Sequence, residues 1–347
     1  MKSTHHIHIG DARDLSSVSD TSVQLVVTSP PYPMVEMWDH SFGELEPEAL
    51  SLLETGQGMA AFEAQHRVLD TVWAECARVL MPGCFLCINI GDATRSIAGE
   101  FCLYPNQSRI VAACLSLGLT PLPDILWRKP TNAPNKFMGS GMLPAGAYVT
   151  YEHEYILLFR KGGKRIFSEE EQVRRRASAY FWEERNLWFS DLWTDLVGTG
   201  QKMRGPRERS AAFPFELPFR LIQMYSLQGD TVLDPFVGTG TTMAAALATG
   251  RSSIGVERLP ELRPHILDRL RSTFTEAPGL ATARLRAHAE AIRSREAQGK
   301  ECKHRSLPYG FPVLTSQETE LQLWIPERWE ERADQIEVHH SPARWEG

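Results

Sequence analysis

The most informative segment of the sequence is a glycine-containing turn between a predicted strand and a predicted helix. The strand ends at Asp234, two glycines follow at Gly238 and Gly240, and the helix begins at Thr241. Glycine lets a backbone approach a ligand closely, and the amide groups at a helix N-terminus point into such a site. The three-glycine pattern of dinucleotide sites would need another glycine at Met243. The turn therefore predicts a site for a nucleoside without a pyrophosphate, with a purely structural turn as the alternative.

A carboxylate follows at the position where such a site needs one. Glu257 ends the next predicted strand, 23 residues after Asp234. In α/β nucleotide-binding folds, an acidic side chain at the end of this strand binds ribose hydroxyls. Glu257 is therefore predicted to bind the sugar of the nucleoside.

A second turn, Thr28-Ser29-Pro30-Pro31-Tyr32, also follows a predicted buried strand. Its two prolines stiffen the turn and remove amide donors, so the Ser29 hydroxyl and the Pro30 carbonyl can act as fixed acceptors. Two acceptors that bind the hydrogens of a nucleobase amino group would favour a pyramidal nitrogen, whose lone pair can attack a methyl sulfonium. The ring of Tyr32 would be an exposed platform for a base that has left the duplex. A polar Ser-Pro-Pro turn without function is the alternative.

The elements that must hold these two turns alternate between strands and helices. Alternation of this kind is typical of a mostly parallel sheet with helices on both faces. Apolar residues at three- and four-residue spacing mark the helix at 63–80. Predicted strands cover 23–28, 84–90, 124–127, 155–159, 231–234, 252–257, 311–314 and 321–325. Predicted helices cover 63–80, 108–117, 218–227, 241–249 and 260–298.

The composition is that of a globular protein. Hydrophobic residues make up 42% and charged residues 23% of the 347 positions, which excludes wholesale disorder. No apolar run reaches the roughly 18 residues of a membrane span, and the N-terminus lacks the apolar stretch of a signal peptide. We therefore expect a cytoplasmic protein.

The cysteines and the N-terminal histidines do not predict a metal site. Cys84 and Cys87 form a lone pair inside a predicted buried strand, and no second ligand pair has matching spacing. His5, His6 and His8 are expected on a solvated strand edge rather than around an ion.

Positive charge is concentrated in one part of a chain whose formal net charge is −6. Lys and Arg outnumber Asp and Glu between 121 and 210, and the charged and aromatic segment 162–205 interrupts the strand–helix alternation. We interpret this segment as an insertion outside the core that recognises DNA, because Arg and Lys bind phosphates and Arg reads base edges. An oligomerisation surface is the alternative, and the region past 260 is a rival for recognition. The predicted DNA-binding residues are Arg174, Arg175, Arg176, Lys202 and Arg204.

The two turns together resemble the motifs of the DNA amino-methyltransferases, the family that makes N4-methylcytosine and N6-methyladenine. Residues 234–242 are similar to the cofactor motif of that family, and residues 28–32 are similar to its catalytic motif. The catalytic motif comes first, as in the β group, whose fold is circularly permuted. The resemblance covers about residues 7–160 and 205–258, with one departure at Thr239, where the family often has Ser. It implies an α/β, Rossmann-like, S-adenosylmethionine-dependent methyltransferase fold.

The resemblance also implies roles for particular residues. Asp11 would contact the adenosine part of S-adenosylmethionine, and Phe213 and Pro214 would pack beside its methionine part. The implied cofactor-binding residues are Asp11, Ala12, Thr28, Phe213, Pro214, Asp234, Pro235, Phe236, Gly238, Thr239, Gly240, Thr241, Thr242 and Glu257. The implied catalytic residues are Ser29, Pro30, Pro31 and Tyr32. The chain would then comprise a catalytic half (1–161), the insertion (162–205), a cofactor half (206–258) and a helical C-terminal extension with short strands (259–347).

The implied reaction is transfer of a methyl group to the exocyclic amino group of a flipped base in double-stranded DNA. Ser at the first position of the catalytic motif accompanies cytosine N4 more often in this family, and Asp accompanies adenine N6. Ser29 therefore favours cytosine, with adenine as the alternative. The expected partners are double-stranded DNA, a second copy of the chain and a cognate restriction endonuclease, and the expected location is the cytoplasm, at the nucleoid.

Three other classes of protein share part of this pattern. Glutamine and some RNA methyltransferases use a similar turn, but theirs begins with Asn and follows the cofactor loop. Methylation of a ring carbon needs a nucleophilic Cys beside the proline turn, and none lies near Pro30 and Pro31. A non-catalytic DNA-binding or scaffold protein on the same core is the alternative of another class.

Overall fold

The computed structural model describes residues 1–129, 142–196, 213–332 and 335–345. Most of the strands in these ranges join one ten-stranded sheet, and two short hairpins lie outside it. The strands, in chain order, are β1 (Lys2–Ile9), β2 (Val23–Thr28), β3 (Leu80–Ile90), β4 (Ala93–Ile97), β5 (Glu100–Tyr104), β6 (Leu119–Arg128), β7 (His153–Lys161), β8 (Leu192–Trp193), β9 (Thr231–Asp234), β10 (Ser252–Glu257), β11 (His304–Arg305), β12 (Pro312–Val313), β13 (Trp324–Arg332) and β14 (Gln335–Pro342).

The strand order in the large sheet is β13-β14-β1-β10-β9-β2-β3-β7-β6-β8. The five central strands, from β1 to β3 in this order, are mutually parallel. Strand β7 runs antiparallel to both β3 and β6, and β14 runs antiparallel to both β1 and β13. The carboxyl ends of the five parallel strands therefore meet at one edge, and the amino end of β7 lies at that same edge.

Helices cover both faces of the sheet. They are α1 (Asp39–Leu45), α2 (Pro47–Glu54), α3 (Gly58–Val79), α4 (Asn106–Ser116), α5 (Glu169–Ala177), α6 (Trp182–Trp188), α7 (Glu216–Tyr225), α8 (Thr241–Ala248) and α9 (Arg263–Ala297). Val26 in β2 packs in an apolar cluster with α3 and α4, whereas its neighbours Leu25 and Val27 pack in a second cluster with α7. Successive side chains of a strand point to opposite faces, so the two clusters lie on opposite sides of the sheet. The expected layered α/β fold is confirmed.

The N-terminal strand differs from its prediction. The expectation that His5, His6 and His8 lie on a solvated strand edge is wrong, because β1 pairs with β10 on one side and with β14 on the other. His5 is fully buried, and its ring nitrogens lie 3.0 Å from Ser3 Oγ and 2.8 Å from Ser253 Oγ. Burial lowers the pKa of His5 to about 3, so this imidazole is neutral inside the sheet.

The described part of the 162–205 segment also differs from its prediction. Residues 162–196 contain α5, α6 and β8, and β8 extends the main sheet by pairing with β6. Trp188 and Trp193 are buried in the apolar cluster that contains α7. The indole nitrogen of Trp193 donates to the carbonyl of Trp188 at 3.0 Å. Two of the aromatic residues that suggested a separate insertion are therefore part of the core, whereas Trp182 and Phe189 are exposed.

The C-terminal region packs on this segment and on the sheet. Helix α9 matches the predicted helical region, while β13 and β14 form a hairpin that the sequence did not predict. Arg284 of α9 donates to Glu184 of α6 at 2.6 Å, and His288 of α9 lies 2.9 Å from Glu183. Within the described ranges, none of the helices combines the length and the apolar character needed to cross a membrane.

Candidate active site

The two turns singled out by the sequence meet at the carboxyl edge of the parallel strands. Glu257, Asp234 and Thr28 are the last residues of β10, β9 and β2, which are neighbours in the sheet. Asp11 follows β1 by two positions, and the amide of Gly10 donates to the carbonyl of Glu257 at 2.9 Å. Such an edge, just beyond the strand ends, is where open α/β sheets bind ligands.

Asp234 joins the two turns. One oxygen of its carboxylate accepts from the hydroxyl of Thr28 at 2.6 Å, and the other accepts from the hydroxyl of Thr242 at 2.6 Å. The amide of Phe236 donates to the carboxylate at 3.0 Å. Burial raises the pKa of Asp234 to about 6, although these hydrogen bonds oppose the increase. The carboxylate therefore fixes residues 28–32, the predicted catalytic turn, relative to the glycine loop (residues 235–240) and the start of α8.

The glycine loop has the backbone that its sequence requires. Gly238 and Gly240 have φ angles of +53° and +87°, a region that glycine enters without strain. A Cβ on Gly240 would lie 3.0 Å from a side-chain carbon of Ile266, whereas a Cβ on Gly238 would meet nothing closer than 3.9 Å. Gly240 thus packs against α9, and the backbone at Gly238 borders open space in which a ligand can lie.

Two carboxylates flank this space. Glu257 accepts from the amides of Gly238 and Leu259 at 3.0 and 2.9 Å, and burial raises its pKa. Asp11 forms a two-point ion pair with Arg13, with a shortest distance of 2.7 Å. Burial alone would favour the neutral form of Asp11, but hydrogen bonds from Arg13 hold its pKa below the ordinary value. Both acidic groups that the sequence placed at the site are therefore at this edge.

The catalytic turn is more enclosed than the sequence suggested. Tyr32 is half-buried rather than an exposed platform, because its hydroxyl is anchored inside the protein. That hydroxyl donates to Glu154 at 3.0 Å, accepts from the amide nitrogen of Asn89 at 2.8 Å, and lies 3.2 Å from the hydroxyl of Ser29. Burial raises the pKa of Tyr32 well above its ordinary value, with a further contribution from the charge of Glu154. Pro30 is buried and Pro31 is half-buried.

Sequence reasoning did not select Asn89, Glu154 and Lys129 as site residues. Asn89 is the next-to-last residue of β3, Glu154 is the second residue of the antiparallel β7, and Lys129 directly follows β6. Glu154 pairs with Lys129 through its second oxygen. Glu154 reaches Tyr32 only because β7 is antiparallel to β3. The available signal was the pattern Tyr-Glu-His-Glu at the start of a predicted strand, which indicates polar groups at a strand end but not which strand lies beside it.

Buried polar side chains from α3 and α4 hold the residues that follow the catalytic turn. Asn106, at the start of α4, donates to the carbonyls of Pro33 and Gly91 at 3.1 and 3.0 Å. The amide of Met34, which has a φ of +66°, donates to the side chain of Gln65 at 2.7 Å. The turn is therefore fixed by α3 and α4 as well as by its own prolines.

The remaining cofactor candidates occupy buried positions near the strand ends. Phe213 and Pro214 precede α7, and Phe213 belongs to the same apolar cluster as Val27, the residue before Thr28. Ala12 is buried beside Asp11. In the loop, Thr239 is half-buried, whereas the buried candidates around it are Pro235, Thr241 and Thr242.

The predicted DNA-binding arginines lie elsewhere. Arg174 donates to the carbonyl of Gln228 at 3.1 Å and lies 3.9 Å from Asp230, immediately before β9 begins. This is the amino edge of the sheet, opposite the catalytic turn. Arg176 forms a 2.9 Å ion pair with Glu320.

The guanidinium of Arg175 lies 4.7 Å from the ring centre of Phe167. The assignment of Arg174, Arg175 and Arg176 to DNA recognition therefore disagrees with their position, because a base in the catalytic turn would be at the opposite edge of the sheet. Lys202 and Arg204 lie outside the described residues.

The fold and this edge define a class of α/β proteins in which a glycine loop and a rigid proline turn lie side by side at the carboxyl ends of parallel strands. The profile of the DNA methylase family, which comprises N6 and N4 methyltransferases, matches residues 23–267. The chain belongs to this family.

Two curated relatives are similar over most of the chain. The type II methyltransferase M.MthZI of Methanothermobacter thermautotrophicus is 50% identical over 94% of this chain and 92% of its own length. The type II methyltransferase M.MjaI of Methanocaldococcus jannaschii is 49% identical over 77% of this chain and 91% of its own length.

Solved structures agree with the fold. A candidate DNA modification methylase of Thermus thermophilus, complexed with S-adenosyl-L-methionine, is 35% identical and has a TM-score of 0.61 over 78% of this chain and 95% of its own. The cytosine-N4-specific PvuII DNA methyltransferase is 19% identical, with a TM-score of 0.50 over 79% of this chain and 93% of its own. The second likeness concerns the fold alone.

Proposed function

We propose that the protein transfers a methyl group from S-adenosylmethionine to the exocyclic amino nitrogen of a base in double-stranded DNA, at N4 of cytosine. The observation that carries the proposal is the bond network of Asp234, which holds the turn 28–32 beside the glycine loop. The glycine loop, as the site of the methyl donor, and the turn 28–32, as the site of the methyl acceptor, would thereby lie next to each other at one edge of the sheet.

The cofactor side of this edge suits an adenosine with a sulfonium chain. Open space lies beside Gly238, and a Cβ on Gly10 would meet nothing within 4 Å. Glu257 and Asp11 present carboxylate oxygens to hydroxyl and amino groups, and no third glycine is present for a pyrophosphate. When bound, S-adenosylmethionine supplies an electrophilic methyl carbon. Asp234 and the other described residues of the loop would bind and orient it.

The base side uses the Ser29 hydroxyl and the Pro30 carbonyl as acceptors for the two amino hydrogens. The lone pair of an exocyclic amino group is delocalised into the ring, so the nitrogen becomes nucleophilic only when it is made pyramidal. Acceptors that are fixed before the reaction stabilise the transition state without reorganising. The half-buried ring of Tyr32 would stack on the flipped base, and stacking of this kind contributes about 1–3 kcal/mol.

The choice of cytosine rests on Ser29 at the first position of the turn and on the family resemblance. Adenine N6 is the second candidate, because both amino groups present two hydrogens to the same pair of acceptors. DNA contacts through Lys202 and Arg204, a second copy of the chain and a cognate restriction endonuclease also belong to the proposal. A non-catalytic DNA-binding protein on the same core is the alternative of another class.

The proposal is tested by incubating the protein with double-stranded DNA and methyl-labelled S-adenosylmethionine, followed by digestion to nucleosides and mass spectrometry. We expect label on N4 of cytosine. Label on N6 of adenine would overturn the choice of base, and unlabelled DNA would overturn the enzymatic function.

Ser29→Ala tests the role of the hydroxyl. We expect single-turnover methyl transfer to slow by about 10²–10³-fold, equivalent to about 2.7–4 kcal/mol, while the Kd for S-adenosylmethionine stays unchanged. Ser272→Ala, at an exposed position on α9, is the matched control and should keep the wild-type rate. An equal loss of cofactor affinity in Ser29→Ala would show that the hydroxyl belongs to the cofactor site.

A further inference from the structure

Four polar side chains beside the catalytic turn form one connected group. The hydroxyl of Ser29 donates to the hydroxyl of Tyr32 at 3.2 Å, and the hydroxyl of Tyr32 donates to Glu154 Oε2 at 3.0 Å. The amide nitrogen of Asn89 lies 3.4, 2.8 and 2.7 Å from the oxygens of Ser29, Tyr32 and Glu154, respectively. The donors follow one direction, from the hydroxyl that would face the base to a carboxylate.

We propose that this group is a proton relay, and that Glu154 is the final acceptor of the proton that the base nitrogen loses on methylation. The proposal rests on the proposed function. The nitrogen lone pair forms a bond to the methyl carbon, and the bond from that carbon to sulfur breaks with its electron pair left on sulfur.

The proton then leaves the cationic nitrogen in three linked steps. One N–H bond breaks as its proton passes to Ser29 Oγ, Ser29 passes its own hydroxyl proton to Tyr32 Oη, and Tyr32 passes its phenolic proton to Glu154 Oε2. Both hydroxyls are restored, the methylated base is neutral, and Glu154 has become a neutral carboxylic acid. Atoms and charge balance without any further reactant.

The acidity of the methylated base and the basicity of a carboxylate favour proton transfer from the base to Glu154. A methylated amino cation on a nucleobase is a strong acid, because its neutral form regains delocalisation into the ring, so a carboxylate is basic enough to accept the proton. Tyr32 keeps its proton near neutral pH, since burial and the charge of Glu154 raise its pKa, and it serves as a link rather than as the base. Lys129 pairs with the second oxygen of Glu154 and leaves Oε2 to the hydroxyl of Tyr32 and the amide nitrogen of Asn89. The carboxyl group of Glu154 retains some solvent exposure, through which the proton can leave.

Asn89 acts as a positioning residue. It is 3% exposed, and its carbonyl oxygen has no hydrogen-bond partner within the described ranges. A buried acceptor without a partner lowers stability, so an apolar residue would suit the strand better if packing alone decided. Its amide nitrogen, however, contacts all three oxygens of the relay and holds them within transfer distance.

The first test is Glu154→Gln, which keeps the shape of the side chain but cannot accept the proton. Single-turnover methyl transfer at saturating DNA and S-adenosylmethionine should slow about 100-fold or more, with both Kd values within twofold of wild type. The matched control is Glu152→Gln, two residues earlier, where the carboxylate pairs with Arg128 at 3.2 Å. It should keep the wild-type rate. A Glu154→Gln rate within threefold of wild type, or an equivalent loss of binding, would overturn the relay.

Three further variants separate proton transfer from a structural role. Formate should restore the rate of Glu154→Ala at least tenfold and leave Glu154→Gln unchanged, because only the former leaves room for a carboxylate. Tyr32→Phe should be as slow as Glu154→Gln. The double variant should be no slower than either single variant, because both substitutions interrupt the same proton relay. Absence of rescue, or additive effects, would refute the relay. If the wild-type protein methylates no base, the proposed function itself fails.

Discussion

Thr28→Val tests the link between the predicted catalytic turn and the glycine loop. The change replaces a hydroxyl by a methyl group of similar size, so it removes the 2.6 Å hydrogen bond to Asp234 without opening a cavity. The carboxylate keeps two donors, the hydroxyl of Thr242 and the amide of Phe236. A hydrogen bond to a charged group contributes about 1.5–3 kcal/mol. The free energy of unfolding at pH 8 is therefore expected to fall by about 2 kcal/mol.

The expected loss depends on pH because Asp234 titrates in the folded protein. Its folded pKa, about 6, is above the ordinary value of 3.8, so its favourable contribution to stability is present below pH 3.8 and is lost as the pH rises through 6. Removing one donor raises the folded pKa further and adds destabilisation only where the carboxyl is ionised. At pH 4 the loss should shrink to that of a neutral hydrogen bond, about 1 kcal/mol.

Urea unfolding at pH 8 and pH 4, followed by tryptophan fluorescence, measures both values. Thr120→Val is the matched control, because Thr120 is an exposed threonine on a strand of the same sheet, and its effect should stay within about 0.5 kcal/mol. A loss below 0.5 kcal/mol for Thr28→Val, or an equal loss at the two pH values, would refute the role given to the Thr28 hydroxyl.

Two other predictions concern stability at low pH and DNA binding. His5 is neutral when folded, with a pKa of about 3 against 6.5 when unfolded, so stability should fall as the pH falls below 6.5, by about 1.4 kcal/mol per unit from this residue. His5→Gln should flatten that dependence in urea unfolding, whereas exposed His40→Gln should not. Replacing Arg174, Arg175 and Arg176 by Ala should leave the dependence of DNA affinity on salt unchanged, since they lie at the amino edge of the sheet. A shallower dependence would instead support phosphate contacts by these arginines.

Much of the central sheet follows from the sequence, because its strands are short, apolar and followed by turns of distinctive chemistry. The predicted strands at 23–28, 231–234 and 252–257 match β2, β9 and β10 residue for residue. Residues that sit directly after a parallel strand reach the same edge whatever the exact order of the strands. For this reason the glycine loop, Glu257 and the proline turn could be placed together without knowledge of the topology.

The parts that escaped prediction depend on pairing between distant strands. Glu154 approaches Tyr32 only because β7 is antiparallel to β3, and a single sequence does not specify that pairing. The polar residues of β1 are typical of a solvated edge strand, and the sequence alone does not show that β14 pairs with its outer side. In the 162–196 segment, the many charged residues of α5 indicated a solvated region. The tryptophans that follow this helix, Trp188 and Trp193, are nevertheless buried in the core.

The position of β1 in the sheet has a consequence for biosynthesis. Its partner residues in β10 and β14 follow it by about 248 and 337 positions, as the contacts from His5 to Ser253 and from Ser3 to His340 show. At about 5–20 residues per second, a ribosome needs about 10–50 s to reach β10 after making β1. Until then residues 2–9 lack both partner strands, and an apolar segment in that state would be prone to aggregate. Because β1 contains three histidines, a serine and a threonine, we expect this segment to remain hydrated until its partners are synthesised.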